Sequence, residues 1–171
     1  MDKNELLKVL SEEALACCRY EIFAEQADKE KNYYLAKIFR ETSKNELSHV
    51  REMMGLLEMV KDSKYNLELS IYNESLEAST TYPHLKELAL AENELNTARF
   101  FQQLTKIEKR HQERFERILK LVQDGMLYQR EESIQWKCRT CGYIHDGFEP
   151  PRKCPGCQST FRSFEPEDFN V

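Results

Sequence analysis

The sequence is poor in residues that interrupt regular structure, since glycine and proline occur only five times each in 171 residues. Four of the five glycines lie at position 125 or later. So few breakers favour long helices in the first part of the chain, and the turn-rich end indicates a second, different domain. Uncharged apolar runs long enough to cross a bilayer are also missing, so no membrane-spanning segment is predicted.

An excess of positive charge is missing as well. The chain has 25 Lys and Arg against 30 Asp and Glu, which gives a formal net charge of -5 and disfavours nucleic acid or an anionic membrane surface as a general partner. Residues 1–15, MDKNELLKVLSEEAL, mix charges into their apolar residues and lack the apolar core of a signal peptide. We therefore expect a cytoplasmic location.

Helical periodicity extends from about Asn4 to Val122, with apolar residues at three- and four-residue steps in four segments. Pro83 is expected to end or kink the third segment, and Gly125 to stop the fourth. The pattern predicts an all-α four-helix bundle over residues 1–125. A linker over 126–135 and a small metal-binding domain over 136–171 are predicted to follow.

Each inward stripe of the four segments is apolar except near its middle, where it carries a glutamate. These glutamates are Glu13, Glu46, Glu74 and Glu108. Two of them begin an E-x-x-H motif, and residues three apart share a helix face, so His49 and His111 point the same way as their glutamates. Glu77, three residues after Glu74, can reach the same region.

The energetic cost of burial decides between a metal site and surface residues. One E-x-x-H motif is weak evidence, because most helical Glu and His side chains are solvated. Clustered acids without inward Lys or Arg would, however, cost several kcal/mol each, against a total stability of roughly 5–15 kcal/mol. Two divalent cations would supply the missing positive charge, as in ferritin-like di-iron carboxylate proteins. The predicted ligands of this pair are Glu13, Glu46, His49, Glu74, Glu77, Glu108 and His111.

Six cysteines occur, and four of them form two C-x-x-C pairs in the last third of the chain. The four are Cys138, Cys141, Cys154 and Cys157. Two such turns can close a tetrahedral thiolate site, and metal binding is favoured over disulfides in a chain without export signals. The spacing alone does not exclude a structural zinc ribbon. The surrounding Trp136, Tyr143, Phe161 and Phe164 resemble those of rubredoxin, which holds one iron.

Together these motifs resemble the rubrerythrin family over essentially the whole chain. The resemblance rests on Glu13 with Arg19-Tyr20, Asn45-Glu46-x-x-His49, Glu74-x-x-Glu77 with Tyr82-Pro83, Glu108-x-x-His111 and the cysteine tail. It implies reduction of hydrogen peroxide to water by two irons in a carboxylate-bridged site, with a third iron in the four-cysteine site. The chain departs from the family's usual pattern at Asn73 and at Cys17-Cys18, and we interpret Cys17 as a small buried hydrophobe.

The resemblance also implies roles for the ligands. Glu46 and Glu108 would bridge the irons, and Glu13 and Glu74 would bind one iron each. His111 would hold one iron, while the other would move between Glu77 in the oxidised state and His49 in the reduced state. The predicted catalytic residues are Glu77, His49 and Tyr20. Tyr20, seven residues after Glu13, is either a hydrogen-bonding neighbour of a ligand or part of the core, and the sequence favours neither.

The expected partners follow from the same resemblance. Electrons would return one at a time through the thiolate iron from rubredoxin or a separate NAD(P)H-dependent reductase. The chain itself contains no dinucleotide-binding G-x-G-x-x-G motif.

A homodimer is expected from the length of the connection between the second and third helices. In a ferritin-like bundle these helices run parallel, and the connection would have to span roughly 28 Å. Residues 61–65 cover only about 20 Å when extended. We therefore hypothesise a helix-swapped dimer.

Two other functions fit parts of the pattern. The helical domain could oxidise ferrous iron in an iron-handling protein, with the tail as an accessory. Alternatively, the protein could be a non-enzymatic helical interaction protein with a zinc ribbon.

Overall fold

The computed structural model of the protein describes residues 2–168. Its helices are α1 (Lys3–Lys29), α2 (Tyr33–Leu56), α3 (Ser63–Leu76), α4 (Tyr82–Ala91) and α5 (Leu95–Gln123), with a π-helical turn (Glu77–Thr81) between α3 and α4. Its strands are β1 (Ile134–Cys138), β2 (Ile144–Gly147) and β3 (Phe164–Pro166). The predicted mostly helical architecture with a small C-terminal domain is confirmed. Within residues 2–168, no helix has both the length and the apolar character of a membrane span.

The chain divides into two compact units between Lys61 and Asp62. The first unit is the hairpin of α1 and α2, and its buried core consists of Ala24, Ala27 and Ala36 with Phe39 packed against them. Small side chains let the two helices approach closely. Ser43 of α2 is buried and donates a hydrogen bond to the carbonyl of Cys17 in α1, at 2.9 Å.

Helices α1, α2, α4 and α5 end in the same way, with a residue in the left-handed conformation after the last turn. These residues are Lys31, Glu58, Asn93 and Gly125. After each of them, the next N–H bonds back to a carbonyl five residues earlier, as when Met126 donates to Leu121 at 2.8 Å. This is the Schellman arrangement, in which glycine is the least strained residue. The predicted stop at Gly125 is confirmed.

The second unit begins with a helical stretch that continues from α3 through the π-turn into α4, and α5 packs against all three parts. Pro83 does not end this stretch. It lies in the first turn of α4, directly after the π-turn, where the Tyr82 N–H bonds to the Glu77 carbonyl five residues back. Because proline has no N–H, the local ladder cannot be regular there, and the π-turn absorbs the disturbance.

The small C-terminal domain is a three-stranded antiparallel sheet in the order β2-β1-β3. Trp136 and Cys138 lie in the central strand, and they form a buried core with Cys154 and Phe164. Tyr128 and Ile134, from the predicted linker, pack against the same core. Ile134 is also the first residue of β1.

Candidate metal centres

Helices α1 and α2 bring together the first predicted set of ligands, Glu13, Glu46 and His49. One ligand atom of each lies within 4.8 Å of the others. The Nδ1 atom of His49 lies 2.9 Å from Oε2 of Glu46 and 3.2 Å from Oε2 of Glu13. The E-x-x-H spacing therefore works as predicted, with the imidazole and its glutamate on one face of α2.

Hydrogen bonding changes the acidity of this group. Hydrogen bonds first to Glu13 and then to Glu46 raise the pKa of His49. In turn, hydrogen bonds first from Glu46 and then from His49 lower the pKa of Glu13. Both shifts favour a positively charged imidazole beside an ionised Glu13, so this group attracts positive charge, as a cation site does.

The second set of ligands has the same composition and lies on α3 and α5. Glu74, Glu108 and His111 also have ligand atoms within 4.8 Å of one another. The Nδ1 atom of His111 lies 2.7 Å from Oε2 of Glu108 and 3.4 Å from Oε2 of Glu74. Glu108 is buried at 9% exposure. Burial, and then the neighbouring Glu108, raise the pKa of Glu74, so this carboxyl resists ionisation until a cation arrives.

Glu77, predicted as a ligand and as a catalytic residue, lies at the first position of the π-turn and is not part of this close group. Tyr82 lies at the other end of the turn. Burial, and then the charges of Glu77 and Glu108, raise the pKa of Tyr82, with a further contribution from a hydrogen bond to Glu77. In an α-helix, residues five apart point about 140° away from each other. The π-turn reduces this difference and lets Tyr82 reach Glu77.

Tyr20 lies among aromatic side chains on α1 and α2. Its ring stacks on Phe39 with centroids 6.2 Å apart and meets Phe23 edge-on at 6.4 Å. These contacts correspond to the core role that the sequence left open. A hydrogen-bonding role for Tyr20 stays a prediction.

The donor chemistry of both carboxylate groups fits iron. Each offers two carboxylates and one imidazole nitrogen, which are ligands that ferrous and ferric ions accept. Within the described part of the chain, the ion pairs of Glu13, Glu46, Glu74 and Glu108 are made only to His49 and His111. Because the ion pairs of these acids among residues 2–168 are with histidine, metal cations are suitable partners for the remaining negative charge.

The four predicted cysteine ligands meet at the edge of the small sheet, with all four sulfurs within 4.8 Å of one another. The sulfurs of Cys138 and Cys157 are 3.7 Å apart, and those of Cys141 and Cys154 are 3.6 Å apart. A disulfide requires about 2.05 Å. A tetrahedron with metal–sulfur bonds of about 2.3 Å has edges of about 3.8 Å, so the spacing fits a four-thiolate metal site.

The two cysteine turns have matching backbones. The Gly142 N–H donates to the carbonyl oxygen of Cys138 at 2.8 Å, and the Gln158 N–H donates to the carbonyl oxygen of Cys154 at 2.9 Å. Both donors have positive φ, 78° for Gly142 and 64° for Gln158. A repeated turn of this kind aims each cysteine pair at one central point.

Ser159 is a functional neighbour that the sequence reasoning missed. Its hydroxyl lies 3.1 Å from the Cys157 sulfur and 3.4 Å from the Cys138 sulfur. A hydrogen bond from Ser159 lowers the pKa of Cys138 to about 6 and also lowers that of Cys157. For Cys141, the Tyr143 backbone lowers the pKa, but burial and the other three cysteines raise it to about 12. A hydroxyl two residues after the last cysteine was the available signal.

Two matching carboxylate–imidazole groups on helices, together with a four-thiolate site on a small sheet, define a di-iron carboxylate protein with a rubredoxin-like domain. The family model Rubrerythrin matches residues 4–119, and the model of the rubrerythrin rubredoxin-like domain matches residues 136–165. The chain belongs to the rubrerythrin family.

The chain matches similar proteins over nearly their whole length. A rubrerythrin of Porphyromonas gingivalis is 31% identical, covering 98% of this chain and 90% of that protein. A putative rubrerythrin of Methanocaldococcus jannaschii is 32% identical, covering 95% and 90%. A solved structure of fully reduced nigerythrin is 26% identical, covering 97% and 87%, with a TM-score of 0.39.

Membership of this family establishes the cofactor classes, a carboxylate-bridged di-iron site and a four-cysteine iron site. It also establishes that the chain is an oxidoreductase whose rubredoxin-like domain transfers electrons.

Proposed function

We propose that the protein reduces hydrogen peroxide to water. The observation that carries this proposal is the pairing of two matching acid–imidazole groups with a separate four-thiolate site. Two ferrous ions would supply the two electrons that cleave the O–O bond. The four-thiolate iron would then return electrons singly from rubredoxin or an NAD(P)H-dependent reductase, in the cytoplasm.

The resemblance to the family supplies the proposed roles of the ligands. Glu46 and Glu108 would bridge the irons, while Glu13 and Glu74 would each bind one. His111 would be a permanent ligand of one iron, and Glu77 and His49 would be alternative ligands of the other. The position of Glu77 outside its close group fits a ligand that binds in only one oxidation state.

Peroxide reduction also needs side chains that position ligands by hydrogen bonding and that supply protons. Tyr82 keeps its proton at neutral pH, as tyrosine ordinarily does, and burial and the neighbouring acids raise its pKa further. Its hydroxyl can therefore donate a hydrogen bond to Glu77 and hold that carboxylate in place. Water formation consumes protons. In the oxidised state, in which Glu77 would replace His49 as the ligand, the released imidazole can carry a proton beside Glu13 and Glu46.

The direct test is a comparison of oxidants with anaerobically reduced protein. We expect rapid oxidation by one equivalent of peroxide and slow oxidation by dissolved oxygen. Cys157→Ser should spare this single turnover but abolish steady turnover with a reductase. Faster reaction with oxygen, accompanied by stored ferric iron, would instead support iron handling.

We further propose that each complete di-iron site takes one acid–imidazole group from each of two chains. His49 keeps 58% of its side chain exposed and His111 keeps 39%, so each group has an open side for the other. The helix ends limit how a single chain could join them. From His49 to the end of α2 is about 10.5 Å, and from the start of α3 to Glu74 is about 16.5 Å.

The connection is too short to cover this distance of about 27 Å within one bundle. Residues 57–62 span at most about 25 Å when fully extended. Moreover, the Met59 N–H bonds back to Met54, so the first part of the connection folds against the end of α2. The four steps from Met59 to Ser63 reach only about 14 Å.

Subunit complementation tests the exchange. Glu46→Gln inactivates one group and Glu108→Gln the other. In a swapped dimer, a mixed pair contains one intact site, so co-refolding equal amounts should restore about a quarter of the wild-type sites. Without a swap, both chains of every mixed dimer carry a broken site and activity stays absent.

A matched control reverses the expectation. The double variant Glu46→Gln/Glu108→Gln, mixed with wild type, leaves no intact site in a swapped mixed dimer. Without a swap, the wild-type chain of each mixed dimer stays active. The two arrangements therefore give opposite results in the two mixtures.

A further inference from the structure

The segment between α5 and β1 is anchored at both ends, although its sequence predicts a simple linker. Gly125 turns the chain at φ 72°, and the Met126 N–H bonds back to Leu121 in the last turn of α5, at 2.8 Å. The chain therefore leaves α5 in a fixed direction.

Tyr128 attaches the same segment to the small domain. Its ring meets Phe161 edge-on with centroids 5.2 Å apart. Its hydroxyl points to the Arg162 carbonyl at 3.5 Å. It also packs against the core that contains Trp136 and two of the cysteines. This side chain thus belongs to the small domain, only five residues after the end of α5.

Arg130 closes the segment. Its Nη1 atom donates to the carbonyl oxygens of Met126 and Gln129, at 2.8 and 2.7 Å. Its backbone N–H donates to the carbonyl oxygen of Phe148 at 2.8 Å. The guanidinium carbon lies 5.3 Å from the centre of the Trp136 ring. Planar, multi-donor geometry and stacking on an aromatic ring are properties that arginine has and lysine lacks.

We propose that Arg130 is a positioning residue that fixes the four-cysteine domain to the end of α5. Its hydrogen bonds stabilise the turn that follows α5. Its guanidinium group lies against the ring of Trp136, two residues before the ligand Cys138. Since α5 also carries Glu108 and His111, the orientation of the four-thiolate site relative to α5 is set by this side chain rather than left to a flexible tether. The consequence for electron transfer rests on the proposed function, but the structural role does not.

The single tryptophan of the chain provides a direct readout. Because Trp136 is fully buried in the small domain, the decay of its fluorescence anisotropy reports how that domain tumbles. Full-length protein would be loaded with zinc at the four-cysteine site, since zinc keeps four-thiolate geometry without redox activity. For wild type, we expect only the slow correlation time of the whole particle. A second component, several-fold faster, would overturn the proposal.

Arg130→Gln should introduce that faster component. Arg130→Lys should show the same faster component, because a single ammonium cannot bind two carbonyls and stack on a ring at once. Arg99→Gln removes the same charge from an exposed position of α5 and should leave the decay unchanged. An Arg130→Gln decay identical to that of wild type would contradict the role of this side chain, even if the wild-type domain is rigid.

A kinetic arm in the iron-loaded protein separates this inference from the proposed function. Arg130→Gln should leave the four-thiolate visible spectrum and the single turnover with peroxide unchanged, while slowing steady turnover about tenfold or more. If wild type does not reduce peroxide, the proposed function fails, and the anisotropy result still decides the role of Arg130. Unchanged steady turnover in a variant with a mobile domain would contradict the link to electron transfer.

Discussion

The Ser159 hydroxyl lies against two of the four sulfurs, at 3.1 Å from Cys157 and 3.4 Å from Cys138. Hydrogen bonds to thiolates stabilise the negative charge on sulfur and so raise the reduction potential of the iron that they hold. Such a contact is set by one side chain and has no effect on the number of ligands.

Ser159→Ala should therefore lower the reduction potential of the four-cysteine iron by an amount on the order of tens of millivolts. The measurement is a spectroelectrochemical titration of the visible absorption. Ser163→Ala, also in the small domain, is the matched control. A potential that rises or does not move in Ser159→Ala would show that the hydroxyl does not donate to the sulfurs.

Glu108 is a single residue on which the second carboxylate group depends, because it is buried and lies 2.7 Å from the His111 ring nitrogen. Glu108→Gln should reduce the iron content from about three per chain to about one, the four-cysteine iron. It should also make the metal-free protein more stable, because the variant no longer buries an ionisable group without a cation.

Iron analysis and thermal unfolding, with and without a chelator, test both expectations. Glu113→Gln, an exposed change on the same helix, should keep the wild-type iron content and the wild-type difference in melting temperature between loaded and stripped protein. Full iron retention in Glu108→Gln would show that Glu108 is not needed to bind the metal.

At the scale of an element, the π-turn places Tyr82 beside Glu77. Tyr82→Phe should leave the iron content unchanged, because the phenol is not a ligand. It should slow peroxide reduction by the reduced protein about fivefold, the loss expected for one hydrogen bond of roughly 1 kcal/mol.

Stopped-flow oxidation of the reduced protein measures this rate. Tyr72→Phe is the control, since Tyr72 lies on α3 with 63% of its surface exposed. Equal rates in the two variants would mean that the hydrogen bond to Glu77 has no part in the reaction.

The sequence predicted those parts of the site that depend on local helical geometry. The pairs Glu46–His49 and Glu108–His111 meet because three residues always bring two side chains to one face. The position of Glu77 could not be predicted in this way, since the π-turn arises from a choice of hydrogen-bond partner around Pro83. Pro83 indicated a disturbance but not whether the helix would end, bend or gain a residue.

The metal site of the small domain could also be predicted, because it too depends on contacts between residues close in sequence. Each cysteine pair is fixed by its own turn, and the aromatic residues around it make the core. The role of residues 126–130 was not visible, because the bonds of Arg130 go to backbone carbonyls, which carry no signature in the sequence.

At the scale of the whole molecule, stability depends on how the negative charge of the two carboxylate groups is neutralised. Two groups of acids can be enclosed only if cations neutralise them. Removing iron with a chelator should therefore lower the thermal stability of the wild-type protein, and reloading ferrous iron should restore it.

The most direct measurement is a peroxide titration of the fully reduced Cys157→Ser variant, prepared without oxygen and with its helical-domain iron quantified. The proposed function predicts a sharp endpoint at one peroxide for every two irons in the acid–imidazole groups, with both irons oxidised. An endpoint of two peroxides per pair, or consumption no faster than that of free ferrous iron in buffer, would contradict it.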